Sequence, residues 1–515
     1  MKKAFPEVVL AFVFLLLFSC ADRDKPPILR RALQTEPSTL DPAYAVDYSS
    51  GLITSLIHSN LVRIDPKGKV CPDLAESWEV INGGKGYIFH LGRGRFSNGT
   101  RVGARDVLFS FKRLLSPSTL SPRWWVLAPL QGARNYHENG EWNAESVEVI
   151  NDSTVALRLE KRASHFLSLL SMPAAGIVCP GQIGEEGKRY GVEPRGSGPW
   201  RLSRWVRSEK MILKPNDFYA GGKAGIEGIL FRFIPEAMTR IAEFEVGNLD
   251  ILKIPHAELK RWRSAGMNLE KTEELRIVYI GFNTQRYPFD DVRVRRALNM
   301  AVDVEAVIAK VLFGAGRKAV GVIPPMLRSE PLESDIYRYN PQKAESLLCE
   351  AGLENGFSME IWQRESPEGG RILECVQAYL GNIGVDVEIV TRDWSAFKQA
   401  VDHKTPDAFY LDWFADYPDA ENFIAPLFHS SNTGGGGNRT GYKNLRVDSL
   451  IDRASGMLDR DKRMKLYHEA EGIIYGDAPW IFLWFPVRYE AVSDRLKGYH
   501  IPVIFNGQRF LEVSL

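Results

Sequence analysis

Two aspartates, Asp412 and Asp416, stand four residues apart in and just past a run, Asp407 to Ala415 (DAFYLDWFA), that reads as a β-strand. Side chains alternate along a strand, so the two carboxylates share a face. Paired carboxylates are the acid and base of glycoside hydrolysis, but there they oppose each other across the substrate, and neighbours on one strand are poorly placed for that. Other catalytic patterns are missing: the chain has no HExxH, no Walker P-loop and no GxSxG. Gly196-Ser197-Gly198 precedes Pro199-Trp200, a strand entry and not a nucleophile turn. The segment from Gly314 to Ala319 fits GxGxxA but follows an expected helix, the wrong context for a dinucleotide fold. The nine histidines are scattered without metal-ligand spacing, and His403 and His429 read as surface or loop residues. The sequence therefore points to no catalytic set, no cofactor and no metal.

The elements around these residues need more than one core. A chain of 515 residues exceeds what one hydrophobic core normally serves, so at least two lobes are expected. Hydrophobic residues at 44% and charged residues at 25% are ordinary for a globular protein. The net charge of +1, with no basic cluster interleaved with aromatics, argues against nucleic acid as a partner. The N-terminus differs in character. Lys2 and Lys3 precede an apolar run from Val8 to Phe18, followed at once by Ser19-Cys20, which is the pattern of a secretory signal over residues 1–19. Leu17-Phe18-Ser19-Cys20 resembles a bacterial lipobox, with Phe18 bulkier than usual there; Cys20 would then carry lipid and 20–27 form a tether. The alternative is plain secretion with an incidental cysteine. The remaining Cys71, Cys179, Cys349 and Cys375 form no CxxC, and we read them as free, buried thiols.

Arg276 to Leu312 looks like a crossing between lobes. Ile277 to Phe282 is a nearly continuous β-branched and aromatic run, so a strand buried on both faces is expected. After Pro288, Asp290 or Asp291 can cap a helix carrying Val294, Leu298 and Ala301, and Asp303 offers a second cap. Arg293, Arg295 and Arg296 read as the solvated face of that helix. Helices over Asn340–Gly352 and Arg371–Ile383 alternate with strands over Val385–Val390 and Asp407–Ala415, which argues a second α/β lobe. Pro479 to Val492 (PWIFLWFPVRYEAV) reads as a further buried strand and second crossing.

Several stretches match a known family. EPSTLDP near Leu40, the run from Pro72 to Pro117 (PDLAESWEV…LFSFKRLLSP), GSGPWRLSRWVRSEKMILKPNDFY and DDVRVRRALNMAVDVEAVIAKVLFGAGRKAVGVIPP resemble the oligopeptide/dipeptide-binding extracytoplasmic proteins of ABC transporters. The resemblance implies an α/β, two-lobed periplasmic-binding-protein (type II-like) fold with an extra subdomain on the first lobe. On that scheme lobe I comprises 28–61, 191–282 and 486–515, its subdomain 62–190, and lobe II 283–485. It also implies a monomer outside the cytoplasm, held to the membrane by its lipid anchor, that passes short peptides to the permease of an ABC importer. Relatives that bind nickel, haem or glutathione leave the ligand open. Asp416 matches the family aspartate that receives a peptide's α-amino group, with Trp413, Ala415 and Tyr417 beside it as walls, and Val46 in the segment that lines the opposite side.

Lipidation has a direct test. One acyl chain holds a protein only marginally, so stable anchoring needs more than one. Cys20→Ala is expected to abolish processing at that bond and to release the protein from the membrane fraction on cell fractionation; unchanged processing and firm attachment would exclude Cys20.

Overall fold

In a computed structural model, residues 27–515 are described apart from Ala144, Ser329, Glu333, Ser334 and Gly436; the signal segment and Cys20 lie outside this set. The strands that matter are β1 (Ile28–Leu33), β2 (Trp200–Val206), β3 (Lys210–Pro215), β4 (Gly228–Phe233), β5 (Ile251–Lys253), β6 (Leu269–Glu273), β7 (Arg276–Phe282), β8 (Gly316–Lys318), β9 (Phe357–Arg364), β10 (Val385–Arg392), β11 (Ala408–Phe414) and β12 (Trp480–Val492). They pair as one 12-stranded network in the order β10-β9-β11-β7-β12-β5-β1-β4-β3-β2, with β6 and β8 also on β12.

β12 is the strand common to both halves. Its first part, Trp480 to Trp484, pairs with β7, and its last part, Val487 to Ala491, pairs with β6. The partner changes at Pro486, whose carbonyl accepts from the Glu274 N–H at 2.9 Å. The chain thus crosses twice between the halves, at Glu274–Leu275 and at Pro486. β7 pairs along its whole length with β11, from Arg276↔Phe414 to Phe282↔Ala408, so it belongs with lobe II. The expected boundary after residue 282 is therefore corrected, and we place it at Glu274–Leu275. Composition could not show this, because β7 is equally apolar whichever ladder it joins.

β7 is buried on both faces, and alternation divides it between two cores. Val278 and Ile280 enter one cluster with Leu298 and Ile361, while Ile277 and Tyr279 enter another with Phe423 and Tyr467. Tyr279 stacks on Trp480 with ring centroids 3.6 Å apart, which pins β7 to β12. Both expected caps form: Asp291 accepts from the Arg293 N–H for the helix Val292–Ala301, and Asp303 from the Ala306 N–H for Val304–Lys310. The expected solvated arginine face does not. Arg293 is exposed, but Arg295 is buried and donates to the carbonyls of Asp477, Ala478 and Phe289, and Arg296 donates to Gly476. These guanidinium groups satisfy the end of the helix Arg460–Asp477, where cations are favoured.

The subdomain has its own antiparallel four-stranded sheet and its own core, in which Phe89, Val107, Phe111 and Phe166 are buried. Asn82, Gly83 and Gly84, which join two strands of that sheet, all take positive φ. The four described cysteines are free, but only Cys179 is buried, and Cys349 is exposed because it lies on the outer side of its helix.

A fully buried carboxylate ties the first lobe together. Asp250 accepts from Arg30 Nη2 at 3.1 Å, the Arg30 N–H at 2.7 Å, and Arg495 Nε at 2.7 Å. Burial alone would raise its pKa, but the bonds from Arg495 and Arg30 outweigh that and hold it below the usual carboxylate range. Its stabilising contribution is therefore present above the unfolded pKa and lost as pH falls through the lower folded one. Asp250→Ala is expected to cost about 3 to 5 kcal/mol in urea denaturation at neutral pH. A loss under about 1 kcal/mol, the scale of a surface pair, would contradict this role.

Candidate functional site

A cavity of about 550 Å³ lies where both crossings meet the subdomain. Its walls come from the end of β1, the segment around Val46, the turn carrying Arg123, β5, the crossing residue Glu274, the end of β11, and β12 past Pro486. The lining is strongly charged and nearly balanced: Arg31, Arg123, Arg240, Lys253, Arg276 and Arg488 against Asp47, Glu274, Asp412, Asp416 and Glu490.

Most of these charges form a chain over the crossing. Arg31 lies 3.7 Å from Glu490, Arg488 lies 3.7 Å from both Glu490 and Glu274, and Arg276 lies 3.5 Å from Glu274. Arg276 Nε then donates to Asp412 at 2.9 Å. Tyr499 donates its hydroxyl to Glu490 at 2.6 Å. The chain passes from β1 through β12 and Glu274 to β7 and β11, so it couples the lobes electrostatically. Burial would raise the Glu274 pKa, but Lys253, Arg276 and Arg488 hold it below the usual range. Glu274 is thus charged at neutral pH although it is buried.

Asp416 stands apart from the chain. Its carboxylate accepts from Arg123 Nη1 at 3.1 Å, and Arg123 Nη2 donates to the Val46 carbonyl at 3.2 Å. Burial raises the pKa of Asp416, and Arg123 opposes that only in part. Among the described residues its carboxylate is bonded to Arg123 and to no group of its own turn. The neighbouring Asp419 does that work, accepting from the Glu421 N–H and pairing with Arg463 at 3.0 Å. Asp416 thus sits in the bend after β11, its N–H donating to Asn422 Oδ1 at 3.0 Å, with its carboxylate among the groups that line the cavity.

The other expected site residues divide. Ala415 and Val46 line the cavity, while Trp413 and Tyr417 do not. Within β11 alternation turns Asp412 and Phe414 to the cavity and Trp413 away, while Ala415, Asp416 and Tyr417 lie past the strand's end, where that period no longer applies. Trp413 packs against the lobe II core. Tyr417 is buried in the subdomain core, its ring stacked on His165 at 5.7 Å and its hydroxyl donating to Glu421. Tyr417 thus docks lobe II onto the subdomain. Arg31, Arg123, Glu274, Arg276, Arg488 and Glu490 were not anticipated from sequence. The signal for some was present, since Arg488 and Glu490 are charges in an otherwise apolar strand, where a buried charge needs a partner.

Asp412 and Asp416 both line the cavity, but each is already paired with an arginine. Among the described residues no group of three His, Cys, Asp or Glu is arranged to hold a metal ion, and no helix is long and apolar enough to cross a membrane.

Residues 69–435 match the model for bacterial extracellular solute-binding proteins, family 5. The chain belongs to that family. It is 32% identical to heme-binding protein A of Haemophilus influenzae, covering 90% of this chain and 88% of that one, and 31% identical to the dipeptide-binding protein of Escherichia coli, covering 84% of each. Among solved structures, HbpA2 from Haemophilus parasuis superposes with a TM-score of 0.82 at 29% identity, over 95% of this chain and 99% of that one. The periplasmic binding protein DppA from Helicobacter pylori, in complex with the peptide STSA, gives 0.79 at 27%, over 95% and 98%. The family 5 assignment agrees with the two-lobed α/β fold and with a cavity at the lobe junction, the usual place for a ligand.

The charged chain gives a prediction for this family 5 protein. Arg276→Met removes the cation shared by Glu274 and Asp412, and is expected to destabilise the fold by about 3 kcal/mol in urea denaturation. Adding Asp412→Asn should recover about 1 kcal/mol or more of that loss, because the two sites are coupled. Strict additivity would show that the pair carries no coupling.

Proposed function

We propose that the protein is the substrate-binding component of an ABC importer, that it captures short peptides in the cavity between its lobes and hands them to the permease, and that it performs no chemistry on them. On this reading it works as a monomer outside the cytoplasm, anchored through lipid on Cys20.

The observation that carries the ligand class is the lining of both signs around a carboxylate at a strand end. A short peptide is a zwitterion with polar backbone groups, and a nearly balanced set of buried charges suits it. β11 also pairs with β9 only at Ala408 and Phe409, so among the described residues its later positions have no strand on that side. An extended peptide can bond to such an edge through its backbone, giving affinity without side-chain choice. Asp416 supplies the register, pairing with the ligand's ammonium group. The relatives include a haem-binding and a dipeptide-binding protein; a lining with eleven charged side chains favours the peptide over a macrocycle.

Asp416 gives the test. An ammonium buried without its carboxylate costs about 3 to 5 kcal/mol, which is more than a hundredfold in affinity. Asp416→Asn is expected to weaken free-amine dipeptides by that order in titration calorimetry and to affect N-acetylated ones far less. Protonation removes the same charge, so wild-type affinity should fall as pH drops, beginning at a higher pH than for an ordinary carboxylate because the Asp416 pKa is raised. The variant should lack that pH dependence. Equal losses for free and acetylated peptides would remove Asp416 from the binding role.

A further inference from the structure

Arg123 and Asp416 belong to segments 293 residues apart, and each is the other's partner across the cavity wall. Neither is sealed in: their side chains are 21% and 30% exposed, so a ligand in the cavity can reach both. The arginine is firmly seated. Its N–H donates to Ser121 Oγ at 3.1 Å, and that hydroxyl donates to the Ala43 carbonyl at 2.6 Å, fixing the turn to the segment that carries Val46. Its guanidinium also lies over the Trp125 ring, 5.9 Å from the centroid. Among the described residues Asp416 is the only carboxylate within salt-bridge distance of Arg123.

These contacts make ligand capture an exchange of ions. A ligand ammonium that pairs with Asp416 competes with Arg123 for the same carboxylate. Two cations on one partly buried carboxylate leave a net positive charge, and the loser keeps only the Val46 carbonyl and an aromatic face. Such a site is short of one negative charge once the ammonium is in place. A ligand whose amino end carries a carboxylate of its own supplies it: the ammonium meets Asp416, the carboxylate meets Arg123, and the four charges alternate in sign. A neutral first side chain leaves Arg123 without a full partner.

We infer that Arg123 is a specificity-determining residue of the cavity, a resident counter-ion for Asp416 that selects peptides with an acidic first residue. The inference rests on the peptide reading above and goes beyond it in naming the side chain chosen.

The pair Glu-Ala and Gln-Ala isolates the charge, since the two dipeptides are nearly isosteric. Titration calorimetry of the full mature protein with each is the experiment, alongside dialanine as a neutral reference. A charge-assisted contact at a partly buried site corresponds to about tenfold or more in affinity, so the wild type should bind Glu-Ala at least about tenfold more tightly than Gln-Ala. Arg123→Met should abolish that preference, the two dipeptides then binding with equal affinity. Arg123→Lys should retain the preference, which separates loss of charge from loss of fold, and thermal melting checks that both variants are folded. Equal affinities in the wild type, or a preference that survives Arg123→Met, would overturn the inference and leave the peptide reading standing. Failure of the wild type to bind any of the three dipeptides would overturn the peptide reading, and this inference with it.

Discussion

Everything in this molecule depends on one strand being hydrogen-bonded to two ladders. β12 is held by β7 and β8 over its first part and by β6 and β5 over its last, so neither half of the network can move without turning about the residues between. Pro486 occupies that place. It has no N–H to lose, and its carbonyl is taken by Glu274 from the other crossing. A hinge built this way keeps its backbone bonds satisfied while allowing rotation where the ladder changes partner.

The hinge also explains where the charges are. Arg31, Glu490, Arg488, Glu274, Arg276 and Asp412 run across it, drawn from four distant parts of the chain, and several of their contacts are 3.5 to 3.7 Å and not tight. Buried ions are costly unless paired, so this chain specifies one relative arrangement of the elements that carry it. The Arg123–Asp416 pair does the same at the far wall, between the subdomain and the end of β11. Most of the charges that line the cavity are thus already paired with one another.

How much of this could be read from sequence depends on whether the cause was local. The two-faced burial of β7 and the caps at Asp291 and Asp303 follow from neighbouring residues, and all are found. Alternation along β11 implied that Trp413 lies off the wall that Asp412 lines, so assigning it to the wall went against the period of the strand; Asp416 and Tyr417 lie in the bend beyond, where no period decides which way a side chain faces. The partners of charged residues were out of reach. Arg295 looks like any surface arginine until the carbonyl ends of another helix, almost two hundred residues later, are placed against it. Arg123 has no neighbour in sequence that hints at Asp416. The crossing point was misplaced for a similar reason, since ladder partners are decided by tertiary pairing and not by the apolar content of β7.

On the proposed function, closure about β12 is the event that captures a ligand. Binding to one state shifts the population toward it. Small-angle X-ray scattering of the protein with and without a dipeptide, at concentrations where calorimetry shows the complex to be saturated, measures this most directly. A smaller radius of gyration in the complex is the predicted result. An unchanged scattering profile in a saturated complex would contradict the hinge at Glu274–Leu275 and Pro486 as the moving part.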